Sequence, residues 1–83
     1  MITKDEIVEI IESYGEETLF ADGFDEAIIG IDLNSMRVIY STAKCIEILC
    51  RDMDQEDALE HFDYNVFGAW VGDKTPIWCR DYY

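Results

Sequence analysis

Few side chains in this sequence have the types and spacing that chemistry demands, and each set has a structural alternative. His61 is the only histidine. A metal site around it would need Cys or His at helical ligand spacing, and none is there. Asp57 lies four residues before it and Glu60 beside it, which suits a solvated imidazole paired with a carboxylate. Cys45, Cys50 and Cys79 are too few and odd in number for a secreted disulfide framework. Nothing near them in sequence would activate a thiolate, so they read as small buried hydrophobes in a reducing cytosol. Asp52, Asp54, Glu56 and Asp63 echo a calcium loop at its first, third, fifth and twelfth positions. The sixth position is Asp57 where the sharp turn requires glycine, and the same residues suit the start of a helix. Gly68, Gly72 and Thr75 within GAWVGDKTP lack the spacing of a phosphate loop. The sequence therefore points to a protein that is not an enzyme and uses no metal or cofactor.

Two sets of residues remain as binding candidates. The first is Asn65, Trp70, Gly72, Lys74 and Thr75, which either line a ligand pocket or build a structural turn. Asparagine is a poor residue within a helix, so the Asn65 amide should serve backbone groups inside the fold or meet a ligand. The second is acidic. Asp5, Glu9, Glu12 and Glu16 recur at three- and four-residue steps, with Glu17 following. Carboxylates one helical turn apart lie about 5–6 Å from each other. That is near the phosphate spacing of a nucleic-acid strand, so this side either mimics nucleic acid or is a solvated face that keeps the protein soluble.

The elements that position these residues are legible in order. Thr3 and Glu6 form a capping box, with Ile2 and Ile7 as its hydrophobic staple. Ile7, Ile10, Ile11 and Tyr14 then give one buried helical face, and Gly15 is the expected stop, so residues 1–15 form an acidic amphipathic helix. Residues 25–41 read as a β-hairpin: a strand at 27–32, apolar on both faces and so either covered on both sides or in the sheet centre, a turn at Leu33-Asn34-Ser35, and a second strand at 36–40. Two helices follow over 42–71. Ser41 or Thr42 caps the first, Ile46, Leu49, Cys50 and Met53 form its apolar stripe, and Glu47 pairs with Arg51 outside. Asp54 starts the second, with Leu59, Phe62, Val66 and Trp70 facing inward and Gly72 as its left-handed stop. Gly68 would let another element approach closely, and most of Trp70 and Trp78 should be core. A last strand at 75–80 begins with Pro76, as suits an edge. The expected fold is a single small α+β domain, order α-β-β-α-α-β, with a three-stranded antiparallel sheet and helices mainly on one face.

Charge narrows the partners. Six Lys and Arg against 19 Asp and Glu leave a formal charge of −13 over 83 residues. Such a field repels nucleic acid and anionic membrane and attracts basic protein surfaces or cations. No 18-residue apolar run or basic leader stands in the sequence, so neither membrane spanning nor secretion is expected.

One resemblance adds to this. The segments Asp25-Glu26-Ala27-Ile28-Ile29-Gly30, Val38-Ile39-Tyr40-Ser41, Lys44-Cys45-Ile46-Glu47-Ile48-Leu49 and Met53-Asp54-Gln55-Glu56-Asp57-Ala58 are similar to a family of small tailed-bacteriophage proteins. So is Phe62-Asp63-Tyr64-Asn65-Val66-Phe67-Gly68-Ala69-Trp70-Val71-Gly72, followed by Thr75-Pro76. The likeness spans about residues 25–78 and leaves out the acidic helix. It implies a phage protein made in the cytoplasm of an infected bacterium, of a kind that often binds a host protein, including components of antiviral defence. The resulting expectation is a non-enzymatic protein that inhibits or redirects a host protein through Asp5, Glu9, Glu12, Glu16 and Glu17. The alternatives are a small-ligand or nucleotide-signal binder built on the first set of residues, at a homodimer interface, and a minor virion or assembly protein. A nucleotide would require Arg37, Lys44, Arg51, Lys74 and Arg80 to gather on one side.

Overall fold

The elements follow from local signals that tertiary bonds then lock. In the computed structural model, which describes residues 2–81, helix α1 (Lys4–Ser13) starts at the expected capping box. The Glu6 N–H donates to Thr3 Oγ1 (3.3 Å) and the Thr3 N–H to Glu6 Oε1 (3.3 Å). The helix stops at Gly15, whose φ of +68° is left-handed. The Glu16 N–H then donates to the Ile11 carbonyl and the Gly15 N–H to that of Glu12, satisfying carbonyls that a helix end leaves bare. Ile7 and Ile11 are buried.

A single 3-10 turn (Asp25–Ala27) leads into β1 (Ile28–Asp32), which pairs antiparallel with β2 (Arg37–Ser41). The hairpin is as expected, and Asp32 closes it: its carboxylate accepts from the Asn34 N–H (3.1 Å) and the Ser35 hydroxyl (2.8 Å). Those bonds hold the Asp32 carboxyl below its ordinary range. Met36, at φ +58°, completes the turn rather than opening the strand.

Ser41 is the N-cap of α2 (Thr42–Leu49), accepting from the Lys44 N–H at 3.1 Å. Asp81 reinforces that end from far along the chain. Its carboxylate accepts from the Ser41 hydroxyl and from the Ala43 N–H (2.9 Å). Helix α3 (Gln55–His61) begins at Asp54, which accepts from the Asp57 N–H at 2.8 Å. A π-helical turn (Phe62–Phe67) continues it, and β3 (Ile77–Cys79) ends the fold.

The result is a small α+β domain whose sheet has the order β1-β2-β3. Three expectations are corrected here. The sheet is mixed rather than antiparallel, because β3 runs parallel to β2, with Tyr40 opposite Trp78. The two helices between these strands form a crossover, which returns the chain to the same end of the sheet and so dictates the parallel pairing. Second, β2 and not β1 is central. Strand β1 is an edge, with a bulge between Ile28 and Gly30 that leaves Ile29 exposed. Third, Glu47 bonds Lys44 (3.2 Å) instead of Arg51. Because α2 ends at Leu49, Arg51 leaves helical register and grips Glu26 through both guanidinium nitrogens (3.2 and 2.8 Å). That fork holds the Glu26 carboxyl below its ordinary value.

One core joins Ile7 and Ile11 of α1, Val38 and Tyr40 of β2, Ile46 of α2, and Ala58 and Phe62. Tyr40 is fully buried, and its hydroxyl oxygen accepts from the Ala21 N–H (2.8 Å), tying the 14–24 loop to the sheet. Burial pushes the Tyr40 phenol up to about 12 and the neighbouring Cys45 thiol up to about 12 as well. Cys45 is buried as expected, whereas Cys79 is half-buried and Cys50 is exposed because it lies past the end of α2.

Candidate functional site

The surface that departs furthest from the ordinary is carried by α3 and the π turn. An α-helical phase running through Leu59, Phe62, Val66 and Trp70 would turn all four inward. The π turn closes its bonds one residue later, and the phase slips by about 100° per extra residue. Phe67 consequently stacks on Phe62, with ring centroids 6.4 Å apart and planes at 29°. Gly68 permits this end: a Cβ there would stand 3.2 Å from the Asp63 carbonyl oxygen. The close approach expected at Gly68 is thus made by the segment's own backbone.

Phe62 remains buried and Val66 partly so, but Trp70 is 69% exposed and is not core, having fallen beyond the helical run. Leu59, Tyr64, Phe67 and Val71 are exposed too. Trp78 is the tryptophan that packs, against Tyr40 (centroids 5.1 Å) and edge-on to Phe62 (5.4 Å, 89°). Such pairs contribute about 0.5–1.5 kcal/mol each beyond their buried area.

Two grooves of about 350 Å³ share Trp78. The first runs between the 19–24 loop and the side of the segment bearing His61, Asn65 and Val66. The second is lined by Ile46, Leu59, Phe62 and Phe67, with Asp63 and Arg80 at its polar edge. The indole N–H of Trp78 is buried and donates to no described atom.

Of the residues grouped from sequence as a ligand pocket or a structural turn, Asn65 alone lines either groove, and Gly72, Lys74 and Thr75 meet in a turn. Asn65 is exposed rather than turned into the fold, and its amide nitrogen lies 3.4 Å from His61 Nδ1. Among the described residues His61 meets that amide and no carboxylate. Gly72 is left-handed (φ +110°), yet it stops no helix, because the π turn has already ended at Gly68. Thr75 is buried and closes the turn at 72–75: its hydroxyl accepts from the Val71 N–H (2.9 Å) and donates to the Gly72 carbonyl (2.6 Å). Arg37 Nε donates to the Thr75 carbonyl (2.5 Å), and Lys74 donates to the Ser35 carbonyl (2.6 Å). Gly72, Lys74 and Thr75 are a fastening between the last strand and the hairpin.

The acidic set lies elsewhere, and all its members are exposed. Asp5, Glu9 and Glu12 are on α1. Glu16 and Glu17 follow the glycine stop, so the helical stripe does not extend to them. Glu16 lies 3.8 Å from Lys74, whereas Asp5, Glu9, Glu12 and Glu17 have no Lys or Arg partner among the described residues. Between 52 and 73 a second acidic run (Asp52, Asp54, Glu56, Asp57, Glu60, Asp63, Asp73) contains no Lys or Arg at all. Asp54 serves there as a helix cap, and among the described residues no three His, Cys, Asp or Glu side chains converge as a metal site. No described helix is long and apolar enough to cross a membrane. No family model matches the chain, and no match was found among curated proteins or solved structures.

Sequence reasoning missed Phe67 and Val71 as surface residues. The available signal was Phe67, a large apolar side chain one position off the inward stripe.

Proposed function

We propose that this chain is a non-enzymatic binding protein that engages a basic protein surface through α1 and the turn after it. In keeping with its resemblance to small tailed-phage proteins, it is a phage product that inhibits or redirects a host protein in the infected cell's cytoplasm. The observation that carries the reading is electrostatic. Asp5, Glu9, Glu12 and Glu17 are exposed and lack a cationic partner among the described residues, in a chain of charge −13. Uncompensated charge of one sign accelerates encounter with a surface of the other and sets the pairing register. A groove that normally holds nucleic acid is the kind of target such a face would enter.

The test is an affinity pulldown from host lysate at low and moderate salt, followed by the double reversal Glu9→Lys/Glu12→Lys. A single partner retained at low salt and released as salt rises, and lost from the folded double variant, is the expected result. Unchanged affinity of that variant overturns the reading.

A second reading is supported by the indole N–H of Trp78, a residue lining the first groove, which has no partner among the described residues: a small neutral ligand bearing a hydrogen-bond acceptor, near Asn65. An anionic nucleotide is not favoured, since Arg37, Lys44, Arg51 and Lys74 are engaged by separate partners. A ligand of this kind raises the melting temperature by mass action, and a thermal-shift screen reads it.

A further inference from the structure

We infer that the second groove, with Phe67 and Leu59 at its rim, is a docking site for a basic segment of another protein that inserts apolar side chains. This site shares no residue with the acidic face of α1 and does not depend on the role proposed for that helix.

Three observations lead there. The first is apolar surface held outward by a built feature. Phe67 is 59% exposed and Leu59 37% exposed, and the π turn, ending on Gly68, sets Phe67 over Phe62 at the groove wall. The floor of Ile46, Phe62 and Trp78 belongs to the core or packs against it, so the cavity is preformed. A concave apolar floor with exposed aromatic rims is the anatomy of a binding hot spot.

The second is charge. The run from Asp52 to Asp73 that supplies this wall contains seven acids and no Lys or Arg, and none of them pairs with a Lys or Arg among the described residues. Among the described residues Arg80 is the one base and Asp63 the one acid lining the groove. An occupant carrying Lys or Arg beside its apolar anchors gains from Asp63, which lines the groove, and from Glu56 and Glu60, each three residues from a lining residue (Leu59 and Asp63), whereas a neutral apolar segment does not.

The third excludes other occupants. A second copy would meet this surface with its own, because a two-fold interface presents the same patch from both sides. Two chains of −13 would then oppose the same uncompensated acids. Nucleic acid and anionic membrane carry the same sign as the site. A cationic amphipathic protein segment fits both the groove and the charge.

The test uses the whole chain and a fluorescent amphipathic Leu/Lys helical peptide, read by anisotropy at physiological salt. A scrambled peptide of equal composition, its leucines on no common face, and a Leu/Glu peptide are the controls. The expected result is saturable binding of the amphipathic peptide alone. Phe67→Asp and Asp63→Lys should each weaken it by about tenfold or more, and Glu9→Lys/Glu12→Lys should change it by less than about twofold. Phe67 and Asp63 are both exposed, and circular dichroism checks that each variant is folded. Equal binding of the scrambled peptide, no binding of either, or full affinity in Phe67→Asp and Asp63→Lys overturns the inference. Loss on reversing α1 alone also overturns it, while leaving the function proposed for α1 standing. Sedimentation velocity and anionic vesicle flotation cover the other occupants: a dimer broken by Phe67→Asp, or vesicle binding through Phe67, overturns it as well.

Discussion

Helix α1 and the segment at 59–71 have similar sequences in outline, acidic and amphipathic with a glycine near the end, yet they come to opposite conditions. In α1 the local signals agree through Ile11, and only Tyr14, expected on the buried face but standing past the last helical residue, is exposed. The capping box sets the start, Gly15 sets the stop, and Ile7 and Ile11 are sealed between them. In the later segment the apolar period runs on to Trp70, but the chain leaves α geometry at Phe62 and puts Phe67 and Trp70 outside. Where both caps are local, the apolar stripe keeps its phase between them, from Ile7 to Ile11. Where the end is set by packing on Phe62 and Trp78, the stripe can be broken and its apolar residues presented to solvent.

The widest gap should lie between the two tryptophans. Trp78→Ala removes a ring packed on both Tyr40 and Phe62 and should cost about 3–5 kcal/mol by urea denaturation. Trp70→Ala should stay within about 0.5 kcal/mol, since that ring is exposed. Similar losses from both would break the comparison.

The helices themselves give the next contrast. Ile7→Ala, at a fully buried position, should cost about 2–5 kcal/mol. Leu59→Ala, on a partly open rim, should lose less than about 1 kcal/mol. A large loss at Leu59 would mean that the groove wall is core.

Smaller effects separate the two glycine stops. Gly15→Ala forces a Cβ onto a left-handed residue and should cost about 1 kcal/mol. Gly68→Ala has ordinary negative φ, so its cost depends only on how far the Asp63 carbonyl yields from 3.2 Å. A smaller loss than at Gly15 is expected, and the reverse order would place the strain in the π turn.

The alkaline limb of stability sharpens the picture of the shared core. Tyr40 and Cys45 keep their protons up to about 12 in the fold, against ordinary values of 10.0 and 9.0. The unfolded chain releases those protons first, so their contribution is intact below pH 9 and is lost as pH rises toward 12. Urea midpoints measured across that window should fall, and Cys45→Ala should flatten the fall. An equal slope in that variant would show that the thiol is not held neutral by burial.

Much of the fold could be read locally because its determinants are local. Thr3 with Glu6, Asp54, Ser41 and the Asn34-Ser35 turn each satisfy backbone groups within a few residues, and each element begins or turns where they stand. The candidate sites were less legible. The exposure of Asp5, Glu9 and Glu12 follows from helical period alone. The outward turn of Phe67 comes with the π turn, whose first residue, Phe62, meets Trp78 from another part of the chain. The direction of β3 is an intermediate case, since the helical crossover after β2 already implied a parallel return.

The sequence by itself determined a small acidic α+β domain, its helix starts, its hairpin and its uncompensated charge, because capping, turn geometry, periodicity and ionisation are short-range properties of the residues. Only the tertiary structure decided which tryptophan packs on the core, that Thr75 and Lys74 fasten the last strand to the hairpin, and that two grooves flank the π turn. Those outcomes depend on side chains distant in sequence competing for the same volume. Asp81 capping α2 and Arg51 choosing Glu26 over Glu47 have the same cause: the better partner was brought near only when the chain closed on itself.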